Sequence, residues 1–125
     1  MAMTKLATGV DLIEVERIAS AVERHGERFL RRIFTSRELS LVHGRAESLA
    51  ARFAAKEAVA KTLGCGIGEV SWLDVEVLSG PNRQPELHLH GNAARIASDQ
   101  GLDKWAISLS HSQQFAIAMV TAMGN

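Results

Sequence analysis

The spacing of hydrophobic positions changes along the chain and divides it into two halves. Residues 4–10 read as a short strand that closes at Gly9-Val10-Asp11. From Ile13 the apolar positions take helical spacing, with Ile13, Ile18, Ala21 and Val22 on one stripe. Gly26 is expected to interrupt that helix. A second helical piece follows over residues 28–33, where Phe29 and Ile33 are four apart. Thr35 or Ser36 can cap a short helix that carries Glu38 in its first turn. Gly44 separates it from the longest helical stretch, residues 47–63, whose alanines favour helix. Gly64-Cys65-Gly66 is its stop.

The second half has strand character. Trp72, Val75 and Val77 predict a strand over residues 71–78, and Gly80-Pro81-Asn82 predicts a turn. Residues 86–90 alternate, with Leu87 and Leu89 on one face and His88 and His90 on the other. Residues 91–98 predict a short helix. Trp105, Ile107 and Leu109 alternate along a further strand, and residues 115–120 form an unbroken apolar run, expected to be a strand covered on both sides. A strand, several helices, then strands with one more helix is the element order of an α+β domain.

Composition narrows the class. A chain of 125 residues is one domain, 1–125. A chain of about 150 residues buries roughly 70% of its unfolded surface, so no staples are needed for a core. Hydrophobic residues at 46% and charged residues at 22% exclude long disorder, collagen and coiled coil. No stretch approaches the ~18 apolar residues of a membrane span, and residues 1–5 lack a secretory pattern. The one cysteine, Cys65, can form neither an internal disulfide nor a zinc cluster by itself, so the expected location is cytoplasmic.

Net charge is zero, but it is unevenly spread. Residues 1–61 carry 11 Lys+Arg against 8 Asp+Glu, and residues 62–125 carry 3 against 6. Arg17, Arg24, Arg28, Arg31, Arg32 and Arg37 face only Glu23 and Glu27 in the same stretch. A local basic surface on a neutral chain points to one acidic partner, with neither nucleic acid nor membrane implied. Arg17, Arg24, Arg28 and Arg31 are spaced to share a helical face, which Gly26 can bend.

Three clusters could carry chemistry. Asp11 lies between an apolar strand and a helix, where it serves as an N-cap or as a metal or phosphate ligand. Lys56, Glu57 and Lys61 sit among small apolar residues on the long helix, with Lys56 inside its apolar stripe. Glu57 and Lys61 can form an exposed i,i+4 pair, but charges in apolar surroundings must be paired or serve a ligand. His111 follows a strand into the Ser-rich stretch Ser108-Leu109-Ser110-His111-Ser112. It is a loop histidine or a phosphate contact, since no nucleophile elbow is present. Asp11 and Glu57 could together hold Mg²⁺, which takes one or two carboxylates and fills its shell with water and phosphate oxygens. Arg52, Lys56, Lys61 and His111 would then supply donors to a phosphate-rich ligand. Gly64-Cys65-Gly66-Ile67-Gly68 lacks the ending of a Walker loop.

In this order the clusters resemble a known family. Gly9-Val10-Asp11 with Arg17-Ile18, Phe53-Ala54-Ala55-Lys56-Glu57-Ala58 with Lys61, and Ser108-Leu109-Ser110-His111 resemble the three signatures of the 4′-phosphopantetheinyl transferases. The short length, with Phe34-Thr35-Ser36 before Glu38 and the segment Leu87 to Gly91, resembles the holo-[acyl-carrier-protein] synthase branch. The resemblance runs from about Thr8 to Val120. It implies a long central helix packed on a mainly antiparallel sheet. It also implies Mg²⁺-dependent transfer of 4′-phosphopantetheine from coenzyme A to a serine of apo acyl carrier protein, in support of fatty acid biosynthesis. A homotrimer with interfacial active sites is implied as well.

By motif match, Asp11 and Glu57 would bind Mg²⁺ and Lys61 would contact the phosphates. Arg52, Lys56 and His111 are candidates for the coenzyme's phosphates. Glu57, directly or through a water, is the candidate base for the serine proton. Arg17, Arg24, Arg28 and Arg31 would bind the acidic carrier. Family members often have a basic residue before the proline of the late hairpin. Here Gln84 precedes Pro85, with Arg83 one earlier.

Two other functions fit parts of the pattern. A Mg²⁺-dependent pyrophosphohydrolase would use the same carboxylates with water as nucleophile, but has no need of the arginine surface. A non-catalytic trimeric module would use the arginines, but has no need of Asp11 with Glu57.

Overall fold

A computed structural model describes residues 4–125. The elements run β1 (Lys5–Glu14), α1 (Val15–His25), α2 (Glu27–Ile33), α3 (Ser36–Val42) and α4 (Ala46–Thr62), then β2 (Val75–Ser79), β3 (Pro85–Leu89), α5 (Gly91–Asp99), β4 (Lys104–His111) and β5 (Phe115–Gly124). Strands β1, β5 and β4 form one antiparallel sheet in that order, and β2 and β3 form an antiparallel hairpin. The fold is therefore α+β, with α4 packed across the three-stranded sheet.

Small residues set the distance between helix and sheet. The face of β5 that meets α4 carries Ala116, Ala118, Val120 and Ala122, all buried. On α4 the facing stock is likewise small: Ala50, Ala51, Ala54, Ala55 and Ala58 are buried, with Leu49 and Val59 beside them. Gly9 of β1 carries the approach furthest. A Cβ there would fall 2.3 Å from the Ala58 carbonyl oxygen and 2.5 Å from Thr62 Oγ1. Only glycine lets this part of β1 lie against α4.

Several sequence expectations are corrected. The first strand continues to Glu14, so Ile13 belongs to it and the helix begins at Val15. Ile13 is buried from the strand, where period two also directs it inward. Asp11 is consequently a strand residue, and the N-cap position of α1 is Glu14. The expected strand 71–78 is split into a 3₁₀ turn, Trp72–Asp74, and β2. Ser71 and Asp74 form a capping box on that turn, which local side-chain hydrogen bonds favour over strand pairing. β5 is covered on one side only within the chain. Its other face, with Phe115, Ile117, Met119 and Met123, stays exposed beside Leu6, Val10 and Leu12 of β1.

Candidate active site

The site is built on α4, whose side chains radiate toward different neighbours. Lys56 points into the core and is fully buried. Its ammonium donates to Glu38 Oε1 at 2.8 Å, to the Trp72 carbonyl at 3.0 Å and to the Val75 carbonyl. Those three acceptors use all three ammonium protons. The ammonium also lies 5.6 Å from the centroid of the Phe34 ring. Glu38 accepts in turn from the Thr35 and Val77 amides. Burial holds the Lys56 amine below its ordinary pKa, with the Glu38 charge and hydrogen bond pulling the other way. The expected phosphate contact from Lys56 is therefore corrected. Its side chain ties α3, α4, β2 and the 3₁₀ turn together and offers no surface to a ligand.

Glu76 on β2 extends this polar layer to the surface. Thr35 Oγ1 donates to it at 2.6 Å, His90 Nε2 lies 3.0 Å from its other oxygen, and Arg37 stands 3.7 Å away. Burial pushes this carboxyl up, but the hydrogen bonds from Thr35 and His90 and the charges of Arg37 and His90 together hold it below the usual range.

The other two charged residues of the α4 motif face β1. Lys61 Nζ donates to Asp11 Oδ1 at 3.0 Å and to the Val10 carbonyl at 3.1 Å. The i,i+4 pair with Glu57 is thus replaced by a pair across elements. Asp11 is on the inward face of β1, two residues beyond Gly9, and its side chain is 18% exposed. Glu57 is half-buried and senses Asp11. Burial, then the Asp11 charge, raise its pKa, with Lys61 opposing. Two carboxylates near enough to repel, with lone pairs unused, suit a divalent cation. Among the described residues no group of three or more His, Cys, Asp and Glu could hold a metal. A two-carboxylate site matches Mg²⁺, which keeps water and substrate oxygens in its shell.

A second feature lies on another side of α4. An open cleft of about 760 Å³ is lined by His43, Arg45, Arg52, Arg83, Pro85 and His111, among others. Arg52 Nε donates to the Val77 carbonyl at 3.1 Å, which fixes the guanidinium at the cleft wall. Burial lowers the Arg52 pKa, the Glu38 charge offsets this in part, and Arg45 adds to the lowering. A guanidinium nonetheless stays charged. His111 ends β4 on the same side of the strand as Leu109 and reaches the cleft mouth. Neither Asp11, Glu57 nor Lys61 lines this cleft. Arg52 and Lys61 are nine residues apart, about two and a half helical turns, and so project to nearly opposite sides of α4.

The sequence reading did not single out His43 or Arg45. Both precede α4 in a loop, where the only signal is a basic residue, Arg45, beside a helix start.

The arginine surface is divided. Gly26, at φ 53°, separates α1 from α2. Arg17 and Arg24 line a shallow groove on α1 with Glu14, Glu16 and His25. Arg28 and Arg31 are exposed on α2, where Arg31 pairs with Glu27 at 2.9 Å.

Comparison with known proteins adds to this geometry. The family model of the 4′-phosphopantetheinyl transferase superfamily matches residues 7–120. The chain belongs to the 4′-phosphopantetheinyl transferase superfamily. Within that superfamily it is similar to the holo-[acyl-carrier-protein] synthase of Herpetosiphon aurantiacus, at 49% identity over 95% of this chain and 99% of the relative. The corresponding synthase of Dehalococcoides mccartyi is 50% identical over 94% of this chain and 98% of the relative. Among solved structures, the Helicobacter pylori synthase in complex with coenzyme A superposes with a TM-score of 0.84 at 33% identity, covering 92% of this chain and 98% of that one. The transferase fold thus extends over nearly the whole chain. Among the described residues no helix is long and apolar enough to cross a membrane.

Proposed function

We propose that the chain transfers 4′-phosphopantetheine from coenzyme A to a serine of apo acyl carrier protein, releasing adenosine 3′,5′-bisphosphate. The single observation that carries the chemistry is the cluster of Asp11, Glu57 and Lys61, where two carboxylates and one ammonium meet between β1 and α4. Asp11 and Glu57 would hold Mg²⁺. When bound, the ion supplies neutralisation of the charge that develops on the bridging oxygen of the pyrophosphate.

The chain's own groups do the rest. The carrier serine attacks the phosphorus that bears pantetheine, and the bond from that phosphorus to the bridging oxygen breaks. Glu57 takes the serine proton. Burial and the Asp11 charge raise its pKa, which makes it a stronger proton acceptor than an exposed carboxylate. Lys61, 55% exposed, can turn from Asp11 to the equatorial oxygens as negative charge accumulates there. Arg52 and His111 serve the coenzyme's phosphates from the cleft.

Because the cleft and the carboxylates lie on nearly opposite sides of α4, one coenzyme does not span both within one chain. We infer a homotrimer in which the cleft of one subunit meets the carboxylates of its neighbour. Its interface would be the exposed apolar face of Leu6, Val10, Leu12, Ile117, Met119 and Met123. A stable monomer at micromolar concentration in sedimentation would remove this assembly. The acidic carrier would dock on Arg17, Arg24, Arg28 and Arg31. Arg24→Glu should then raise the KM for carrier strongly and that for coenzyme A little, with wild-type carrier binding the more salt-sensitive. The free thiol of Cys65 fits a reducing cytoplasm, and the holo carrier would feed fatty acid biosynthesis.

The test is to incubate the chain with coenzyme A, Mg²⁺ and apo carrier and to weigh the carrier. A gain equal to phosphopantetheine, lost on chelation of the metal, is expected. Loss of pyrophosphate-linked nucleotide without mass gain on the carrier would indicate hydrolysis instead.

A further inference from the structure

Strand β2 has one strand neighbour, β3, yet its residues Val75, Glu76, Val77 and Leu78 are buried. In an antiparallel pair, alternate residues turn their amide and carbonyl toward the partner strand or away from it. Groups turned away and buried must find other partners. Side chains of α3 and α4 supply them. Lys56 Nζ donates to the Val75 carbonyl, and Arg52 Nε donates to the Val77 carbonyl at 3.1 Å. The Val77 amide donates to Glu38 Oε2 at 2.9 Å.

The spacings of helix and strand agree. Arg52 and Lys56 are four residues apart on α4, an axial rise of about 6 Å. Val77 and Val75 are two residues apart on β2, about 7 Å. One cation therefore stands opposite each outward carbonyl. Glu38 completes the edge by accepting from the amide between those carbonyls. Its other oxygen accepts from Lys56 at 2.8 Å and from the Thr35 amide at 3.0 Å. A single carboxylate thus fixes β2 against both α3 and α4.

Arg52 is the member of this edge that also lines the cleft. Its Nε is engaged by Val77, which leaves the terminal nitrogens of the guanidinium to a ligand. An arginine held at Nε has already lost rotamer freedom that a ligand would otherwise have to restrict. The Glu38 charge also offsets part of what burial costs this guanidinium. Glu38 itself is fully buried and is not among the cleft-lining residues. Its influence on the cleft passes through Val77 and α4.

We propose that Glu38 is a positioning residue for transfer: by fixing Val77 it sets where Arg52 presents its guanidinium to the coenzyme. The inference rests on the transferase reading above, in which Arg52 serves the coenzyme's phosphates, and adds the buried group that aims it.

Two double variants separate this role from fold stability. Glu38→Gln with Lys56→Met removes both buried charges and keeps an oxygen that can accept from the Val77 amide. Glu38→Leu with Lys56→Met removes the charges and the oxygen together. Calorimetry would give the Kd of coenzyme A, steady-state transfer to apo carrier would give KM and kcat, and NMR would follow solvent exchange of the Arg52 Nε–H. The Gln variant should stay within about twofold of wild type in the Kd and KM of coenzyme A, since the Val77 acceptor is kept. The Leu variant should raise both about three- to tenfold, with kcat changed less than about twofold and the Nε–H exchanging faster. Arg52→Gln should then weaken coenzyme A less in the Leu variant than in wild type, because the two changes remove one interaction. In wild type itself, the Arg52 Nε–H should exchange more slowly than those of the exposed Arg24 and Arg28, a comparison that needs no variant to fold. Equal coenzyme A affinities in the two double variants would overturn the proposal, as would an Arg52 Nε–H that exchanges as fast as the exposed ones. Absence of transfer by wild type would instead defeat the transferase reading while the exchange of Arg52 is still read, which separates the two failures.

Discussion

Lys56 and Lys61 stand five residues apart on one helix, and each meets a carboxylate, at 2.8 and 3.0 Å respectively. Lys56 and Glu38 are 0% exposed, and every proton of the ammonium has an acceptor. Lys61 is 55% exposed, and its partner Asp11 also lies in the field of Glu57. Similar distances therefore carry different meanings. A pair with all valences used and no water is a fastener. A pair with one partner exposed and a second carboxylate beside it keeps the freedom to change partners. Distance between charges does not distinguish the two, whereas satisfaction and exposure do.

The largest effect expected is on the fastener. Lys56→Ala should cost about 3–5 kcal/mol of stability, because Glu38 is then left buried without its counter-charge. Denaturant titration measures this. Lys56→Met with Glu38→Leu should recover only part of the loss: it removes both buried charges, but takes the Glu38 acceptor from the Thr35 and Val77 amides and the Lys56 donor from the Trp72 and Val75 carbonyls. If Lys56→Ala is as stable as wild type, Lys56 holds the fold together no more than Lys61 does.

Next come the open carboxylates. Asp11→Ala and Glu57→Ala should each lower transfer at saturating Mg²⁺ at least about a hundredfold, the scale of a lost transition-state contact. Their melting temperatures should stay within a few degrees of wild type, because neither side chain is fully buried. Near-normal turnover in either variant removes that residue from the metal site. A collapse in stability would make the Asp11 side a fastener as well.

Lys61→Ala should have a smaller effect, a loss of about tenfold or more in kcat with the KM for coenzyme A less affected. Its removal also takes away the opposing charge on Glu57, so the Glu57 pKa should rise further.

The smallest effect is on proton affinity and separates two carboxylates by sign. Glu57 has a raised pKa in the fold, so its ionisation opposes folding. The metal-free chain should gain stability from this group as pH falls through the raised value toward the ordinary one near ~4.3. Glu76 has a depressed pKa, so its contribution is present above the ordinary value and lost as pH falls through the depressed one. Asp11→Asn should lower the Glu57 pKa, read by NMR titration of its side-chain carboxyl carbon. An unmoved value would mean that Asp11 and Glu57 do not share a field. Mg²⁺ affinity should weaken on acidification through the Glu57 pKa, since proton and ion compete for the same oxygens.

Much of the fold was legible from local pattern. The α+β order, the long Ala-rich helix and the alternation of β4 depend on side-chain period over a few neighbours. Thr35 was readable as a cap because its partner Glu38 is three residues away. The three motifs of the site could likewise be read as residue types in order. What local pattern missed were the partners across the fold. Glu38 was seen as a first-turn acid, but not as the counter-charge of Lys56, 18 residues on. Lys61 was matched to Glu57, four residues back, whereas its partner Asp11 is 50 residues away.

The chain's local chemistry thus set the elements and supplied the charges, because helix, strand and cap preferences are decided within a turn or two. Tertiary structure alone assigned those charges their roles. The approach of β1 to α4 at Gly9 brings Asp11 to Lys61 and Glu57. Closure of the core around Lys56 removes it from any ligand. Arg83, held at φ 63°, and not the residue next to Pro85, carries a cation to the cleft. Burial and partnership depend on residues far apart in sequence, and they determine whether a charge holds the fold together or stays open for chemistry.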